Sequence, residues 1–364
     1  MADKHGGLDD VVAAETVLSE VDGLAGRLII RGHSLDQLAG AARFEDVAAL
    51  LFGGFFPDLP QDLTAPLGAA RAEVFAETAG LGAALLRLTP VEAVRALTAR
   101  LADGDDLATA LRLLAAPAVF AAALIRARAG QAPVAPDHAL GHAADLLRMA
   151  RGAPASAAEA AALDAYLVTV SDHGLNASTF AARVIASTQT GLGSAVLGGI
   201  SALKGPLHGG APGPVIEMLD AIGSPANARA WLDGALARGD RLMGFGHRIY
   251  RVRDPRADAL KAALSRLAAG SGALPGRLAL AEAVEAAALA VLKARKPGRT
   301  LDTNVEFYTA LLLEALGFPP DAFTCVFAAG RTAGWIAHAR EQALGGRLIR
   351  PQSRYVGPAP KLAA

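Results

Sequence analysis

Long runs of alanine, leucine, arginine and glutamate, broken only by glycine or proline, fill most of this chain. Those residues lose little freedom in a helix, whereas glycine and proline stop one, so the pattern predicts a mostly helical protein. Ser34 to Gln37 ("SLDQ") has the form of a capping box opening an apolar-periodic segment, and Pro57 and Pro60 mark the loop after it. Asp105 to Arg128 and Ser156 to Val170 read as further helices. Leu280 to Lys293 is nearly all alanine, leucine and valine around Glu282 and Glu285, which predicts a helix packed on most sides.

Strand signals are few. Val11 to Val17 and Arg27 to Arg31 flank an Asp22-Gly23 turn and predict a small hairpin. Nothing alternates strand with helix as a doubly wound sheet would. Gly191-Leu192-Gly193 with Gly198-Gly199 is at most a faint dinucleotide loop, since no strand precedes it.

Composition narrows the function classes. Lysine plus arginine equals aspartate plus glutamate, 35 each, so no basic excess points to nucleic acid or a membrane surface. Cys325 is the one cysteine, which rules out an internal disulfide and suits a reduced, cytoplasmic setting. The first ten residues lack the apolar core of a signal peptide. Leu113 to Ile125 is short and interrupted by Pro117, and Val184 to Leu203 is rich in Ser, Thr and Gly, so neither reads as a spanning helix. Glycine and proline concentrate between Gly191 and Gly213, as at a joint or a site, and Gly345 to Ala364, with Arg347, Arg350, Arg354 and Lys361, reads as an extended arm.

Five of the eight histidines, His5, His33, His138, His142 and His338, have ordinary contexts. His138 and His142 have the i, i+4 spacing of a helical metal pair, but no third ligand accompanies them, so they read as surface residues. The other three sit beside glycine at element ends: His173 in "SDHGLNAST", His208 in "KGPLHGGAPGP" and His247 in "GFGHRIYRVRDPR". Arg248, Arg251, Arg253 and Arg256 follow His247, and Arg331 and Arg350 lie in "GRTAGW" and "IRPQSRY". Arginine forks suit carboxylate and phosphate, so the joint pattern points to an anionic small molecule handled by histidine acid–base chemistry. Glu306, in "LDTNVEFY", allows two readings. With Thr303 it has capping-box spacing, yet it shares a helical stripe with Ala310 and Leu313, where desolvation would raise its basicity.

Together these segments resemble the citrate synthase family. The resemblance starts with "GLDDVVAAETVLSEVDGLAGRLIIRGHSLDQLA" and continues through "DHGLNASTF", "ALKGPLHGGAPGPV", "GFGHRIYRVRDPRA", "NVEFY", "GRTAGWIAHARE" and "RPQSRYVG". It implies an all-α, two-domain fold with a small N-terminal β-hairpin, working as a homodimer. Residues 1–208 and 319–364 would form the large helical domain, and residues 209–318 an inserted small domain that closes over substrate. The implied reaction is a Claisen-type condensation of acetyl-CoA with oxaloacetate, then thioester hydrolysis to citrate and CoA, without metal or redox cofactor.

Matching the motifs carries roles onto this sequence. His208 would hydrogen-bond the thioester carbonyl while Glu306 removes a methyl proton, and His247 would donate to the ketone oxygen of oxaloacetate. His173, Arg256, Arg331 and Arg350 would hold its carboxylates, with Arg350 supplied by the neighbouring subunit, and Asn176 and Ser178 would support His173. Leu242, Met243, Gly244, Phe245 and Gly246 would line the adenine end of CoA, and Arg251 would meet a phosphate. The sequence departs from the family at Glu306, where the usual motif "NVDFY" has aspartate. The longer base is compatible with a working enzyme, with one that prefers propionyl-CoA (a 2-methylcitrate synthase), or with a relative that binds oxaloacetate or CoA without turnover.

Overall fold

The computed structural model describes residues 8, 11–209, 212–271, 275–296, 298 and 301–358. Parts of three sequence features lie outside them: Gly7 at the start of the first motif, Gly210 and Ala211 in the glycine-rich joint, and Lys361 in the arm.

Three short antiparallel strands, β1 (Ser19–Asp22), β2 (Arg27–Ile30) and β3 (His33–Ser34), form one sheet in that order. The first arm is therefore Ser19–Asp22, not Val11 to Val17, and a third strand extends the hairpin. The turn dictates this. Asp22 accepts bonds from the Leu24 and Ala25 amides at 3.0 and 2.9 Å, which pairs Asp22 with Arg27 and runs the register back to Ser19 opposite Ile30.

Helices make up the rest: α1 (Leu35–Leu38), α2 (Phe44–Phe52), α3 (Thr64–Phe75), α4 (Ala83–Leu86), α5 (Pro90–Thr98), α6 (Leu107–Arg128), α7 (His142–Arg151), α8 (Ala157–Val170), α9 (Ala177–Ala186), α10 (Leu192–Leu203), α11 (Pro212–Ile222), α12 (Ala228–Ala237), α13 (Pro255–Ser271), α14 (Pro275–Arg295), α15 (Val305–Ala315) and α16 (Phe323–Gly345). The fold class expected from the sequence holds. Gln37 does reach back to the Ser34 amide at 2.9 Å, but that helix lasts one turn before Gly40, at φ +84°, breaks it. Ser156 and Glu159 form a reciprocal cap on α8. Helix α14 keeps Ala281, Val284, Ala288 and Val291 buried and one stripe, Glu282, Ala286 and Ala290, exposed.

Helix α6 is long and apolar enough to cross a membrane, yet its apolar window is 83% buried inside the protein, packed on α3, α5, α7 and α16. His142 is fully buried against the Phe44 ring, 5.2 Å between centroids, which corrects the surface reading of the His138/His142 pair. It opens α7 on the side that faces α2, so its ring fills core rather than meeting solvent. The N-terminus of α10 holds no room for a dinucleotide phosphate, because Asp103 occupies it, accepting from the Gly193 and Ser194 amides at 2.6 and 3.0 Å.

Helix α16 runs through the middle, packed on α6, α8, α9 and α10. Its close approach to the end of α8 needs a glycine. A Cβ on Gly334 would lie 2.4 Å from the Ser171 carbonyl oxygen and 2.7 Å from Asp172 Oδ1. That contact fixes α16 against the segment leading to His173. Gly334→Ala is therefore expected to cost about 1–3 kcal/mol by overpacking. Gly276→Ala, with open space around its Cβ, should be neutral or stabilising by about 0.5–1 kcal/mol. Urea melts of both variants measure the difference.

Candidate active site

His173, His208, His247, Arg256 and Arg331, far apart in sequence, are brought together at the ends of α8, α10 and α13 and on α16. His173 follows α8, buried, with Gly174 at φ +58° turning the chain away behind it. Its Nε2 lies 3.1 Å from the hydroxyl of Tyr250, and its ring is 5.8 Å from that of His247. Behind it, Asp172 pairs with buried His338 at 3.2 Å, and Ser19 on β1 bonds both Asp172 and the Gly174 amide. The small sheet thus braces the histidine.

His208 ends the turn after α10, where its amide bonds the Gly205 carbonyl at 2.9 Å. Its Nε2 is 2.8 Å from Ser178 Oγ, which also lies 2.8 Å from Asn176 Oδ1 and accepts from Trp335 Nε1 at 3.1 Å. Asn176 and Ser178 therefore back His208 rather than His173. Asn176 also caps α9, accepting from the Ser178 and Thr179 amides at 3.1 Å each.

His247 is held in one tautomer. Its Nδ1 accepts from the amides of Ile249 and Tyr250, both at 3.0 Å, so the ring proton resides on Nε2. Nε2 stands 3.2 Å from Arg256 Nη2. Both groups are donors and neither satisfies the other, so they bracket a point suited to an oxygen acceptor. Arg256 is itself fixed by Asp254, through Nε at 3.0 Å and Nη2 at 2.8 Å. Arg331 is fully buried on α16. It bonds the Val170 carbonyl, lies over the Phe327 ring at 5.0 Å, and has no carboxylate within ion-pair distance among the described residues.

The site is thus a desolvated cluster in which Arg256 is paired with Asp254 and Arg331 has no carboxylate in ion-pair distance among the described residues. Burial, then Arg331 and Arg256, push His208 down to about 4, and burial with Arg256 does the same to His247. His173 falls well below the ordinary histidine value for the same reasons. Arg331 is lowered by burial to about 10, which leaves it charged at neutral pH. All three histidines are therefore neutral hydrogen-bonding groups set between guanidinium cations.

Glu306 lies in the first turn of α15, beside Ala310 and Leu313, both buried. The capping box with Thr303 does not form. Asn304 caps the helix instead, accepting from the Glu306 amide at 3.0 Å, while the Thr303 hydroxyl turns to Glu285 at 2.7 Å. Asparagine is among the best capping residues, and taking the cap one residue later leaves the Glu306 carboxylate unclaimed. Burial raises it to about 7, against the opposing pull of Arg256 and Arg241.

Leu242 and Phe245 are buried, Met243 is half-buried, and Gly244 and Gly246 have φ of +85° and +83°. This loop is pinned to the start of α15: Gly246 N bonds Asp302 O at 2.7 Å, and Asn304 N bonds Gly244 O at 2.9 Å. Phe245 packs on Phe307, 5.3 Å between centroids, so the loop offers a ligand its backbone more than its two large side chains. Arg251 is exposed and its amide bonds Gly23 O at 2.8 Å, at the turn of the small sheet. Arg350 is exposed in the extended arm after α16, outside the cluster. Among the described residues, no group of three or more His, Cys, Asp or Glu could hold a metal ion.

Sequence reading missed Tyr250, which joins His173 to His247, and Asp254, the counter-ion of Arg256. Their spacing was the available signal: three after His247, and two before Arg256.

Because folding raises the Glu306 pKa, the charged form is disfavoured in the folded state. The penalty is absent below about pH 4.5, grows as pH rises, and is complete above about 7. Glu306→Gln should therefore melt higher than the parent at pH 8, with the gap closing towards pH 4.5. Calorimetry across that range measures it.

Comparison with known proteins agrees with this geometry. The family model "Citrate synthase, C-terminal domain" matches residues 7–352. "Putative citrate synthase 2" of Mycobacterium tuberculosis is 41% identical over 363 residues, covering 98% of this chain and 93% of the relative. "2-methylcitrate synthase" of the same organism is 38% identical over 364 residues, covering 96% and 90%. The crystal structure of citrate synthase from Thermotoga maritima superposes with a TM-score of 0.83 at 32% identity, covering 99% of this chain and 97% of that one. A ternary complex of citrate synthase from Thermoplasma acidophilum with carboxymethyl coenzyme A and oxaloacetate superposes with a TM-score of 0.82 at 28% identity, covering 98% and 97%. The chain belongs to the citrate synthase family and is a transferase of that type.

Proposed function

We propose that this chain condenses acetyl-CoA with oxaloacetate and hydrolyses the resulting thioester to citrate and CoA. The observation that carries the reading is the pair of donors, His247 Nε2 and Arg256 Nη2, 3.2 Å apart, with Nη2 held in place by Asp254. A ketone oxygen between them would accept from both, and the charge it gains as the new bond forms would be stabilised without reorganisation. Arg331, with no carboxylate in ion-pair distance among the described residues, together with Arg256 and His173 suits the two carboxylates of oxaloacetate. That the Thermoplasma acidophilum enzyme was solved with oxaloacetate and a CoA analogue supports the substrate pair.

Glu306 is the base. A carboxylate near 7 is matched to taking a proton at neutral pH, while neutral His208 hydrogen-bonds the thioester oxygen so that enol forms rather than full enolate. The Leu242–Gly246 loop and Arg251 would meet CoA. Residues 209–318 form the domain that closes, its first edge tied to α16 by the Thr324 hydroxyl on the Gly209 carbonyl at 3.2 Å. Arg350 completes the site of a second subunit in a cytoplasmic homodimer, its exposure on an extended arm being what such a role requires. The identity to a 2-methylcitrate synthase makes propionyl-CoA the second acyl donor to try.

Purified protein should release free thiol from acetyl-CoA only when oxaloacetate is present. Failure with both acyl-CoAs would overturn the reading. The ratio of kcat/KM for the two donors assigns the substrate, a methylene being worth about 1–3 kcal/mol. Glu306→Gln should lower kcat by about 10²–10⁴-fold. Calorimetric oxaloacetate binding should change little. For the parent, kcat/KM should rise with pH through about 7 as Glu306 ionises, then level off, since the histidines near 4 are already neutral.

A further inference from the structure

Outside the cluster, one buried carboxylate gathers more donors than packing alone asks for. Glu285, on α14, is 6% exposed. Its Oε1 accepts from Thr303 Oγ1 at 2.7 Å and Arg253 Nη1 at 2.9 Å, and its Oε2 from Tyr308 Oη at 2.6 Å and Lys261 Nζ at 3.2 Å. The four donors come from four places: the segment before α15, the loop after His247, α15 itself, and α13. Two of them, Thr303 and Tyr308, bracket Glu306. The other two belong to the structure that carries His247 and Arg256.

We propose that Glu285, through Thr303, is the positioning residue that sets the distance from Glu306 to the His247–Arg256 oxygen site. The proposal rests on the reading of Glu306 as the base. The start of α15 is tethered on two sides among the described residues. The Val305 amide bonds Asp254 Oδ2 at 3.1 Å, Asn304 Nδ2 bonds Gly246 O at 2.8 Å, and Thr303 bonds Glu285. The first two bind the turn to the loop it faces. The third, together with the Tyr308 hydroxyl, ties it to Glu285 on α14, and a base longer by one methylene needs its backbone held at a set distance. Tyr308 is held well above the ordinary phenol value, by burial and then by Glu285, so it stays a donor to this carboxylate. Arg253 and Lys261 supply the opposite charge that lets Glu285 remain ionised while buried.

The test uses thiol release by the full-length enzyme. Thr303→Val deletes the donor at nearly constant volume. It should lower kcat by at least about tenfold, a displacement near 1 Å being worth on the order of 10²-fold. Oxaloacetate KM should stay within about twofold, because the groups that grip that substrate are untouched. Thr303→Ser, which keeps the hydroxyl, should recover most of the rate, and Glu285→Gln should repeat the split between kcat and KM. Parent-like kcat in Thr303→Val, with Glu306→Gln inactive, overturns the inference and leaves the function standing. Thr303→Ser no better than Thr303→Val overturns it too, as a packing effect alone would give that result. An active Glu306→Gln would instead remove the reading of Glu306 as base, and the inference with it.

Discussion

The site depends on one buried carboxylate. Asp254, 1% exposed, accepts from Arg256 through Nε and Nη2, from the Arg256 amide, and from the Val305 amide at the start of α15. It therefore fixes the guanidinium that faces His247 and tethers the helix that carries Glu306. Removing one partner of such a buried pair leaves an uncompensated charge, at a cost of about 3–5 kcal/mol. Here the loss would also release the base and the oxygen site from each other. Geometry and charge balance are carried by the same four hydrogen bonds.

Around this pair the charge is deliberately incomplete. Arg331 is buried with no carboxylate in reach among the described residues, and the histidines stay neutral because burial and the two arginines work against their protonation. A site of this kind costs stability, since Arg331 and Glu306 are desolvated without full compensation. On the proposed reading, an anion with two carboxylates would supply the missing charge. The same low-dielectric setting that makes the free site expensive strengthens every contact to a bound substrate.

Much of this was legible in the sequence. Histidine beside glycine at element ends marked three of the site groups, and arginine at Arg256 and Arg331 marked the anionic ligand. The legible part is local: turn chemistry, caps and periodicity. What escaped is set by tertiary partners. Tyr250 reads as one more aromatic until His173 is found 3.1 Å from its hydroxyl. Ser178 lies close to His173 in sequence but serves His208, because α9 and α10 pack side by side. His142 looked like a surface residue because its helix spacing says nothing of which face meets α2. The first strand was displaced because an apolar run, Val11 to Val17, outweighed the register that Asp22 imposes. Leu242 and Phe245 read as ligand lining, but their side chains are buried, with Phe245 packed on Phe307.

Glu306 shows most clearly how local and tertiary demands compete. Threonine followed three residues later by glutamate is a capping signal, and if that cap formed, the carboxylate would be folded back on the helix terminus. Two other groups prevent it. Asn304 takes the cap with a side chain better suited to it, and Glu285 claims the Thr303 hydroxyl. Among the described residues, neither partner bonds the Glu306 carboxylate itself. By occupying the groups that would otherwise bind the carboxylate, they leave it desolvated, unpaired and near neutrality. A residue type that usually caps a helix is thereby given the basicity that the proposed role as base requires, and its neighbours are what give it.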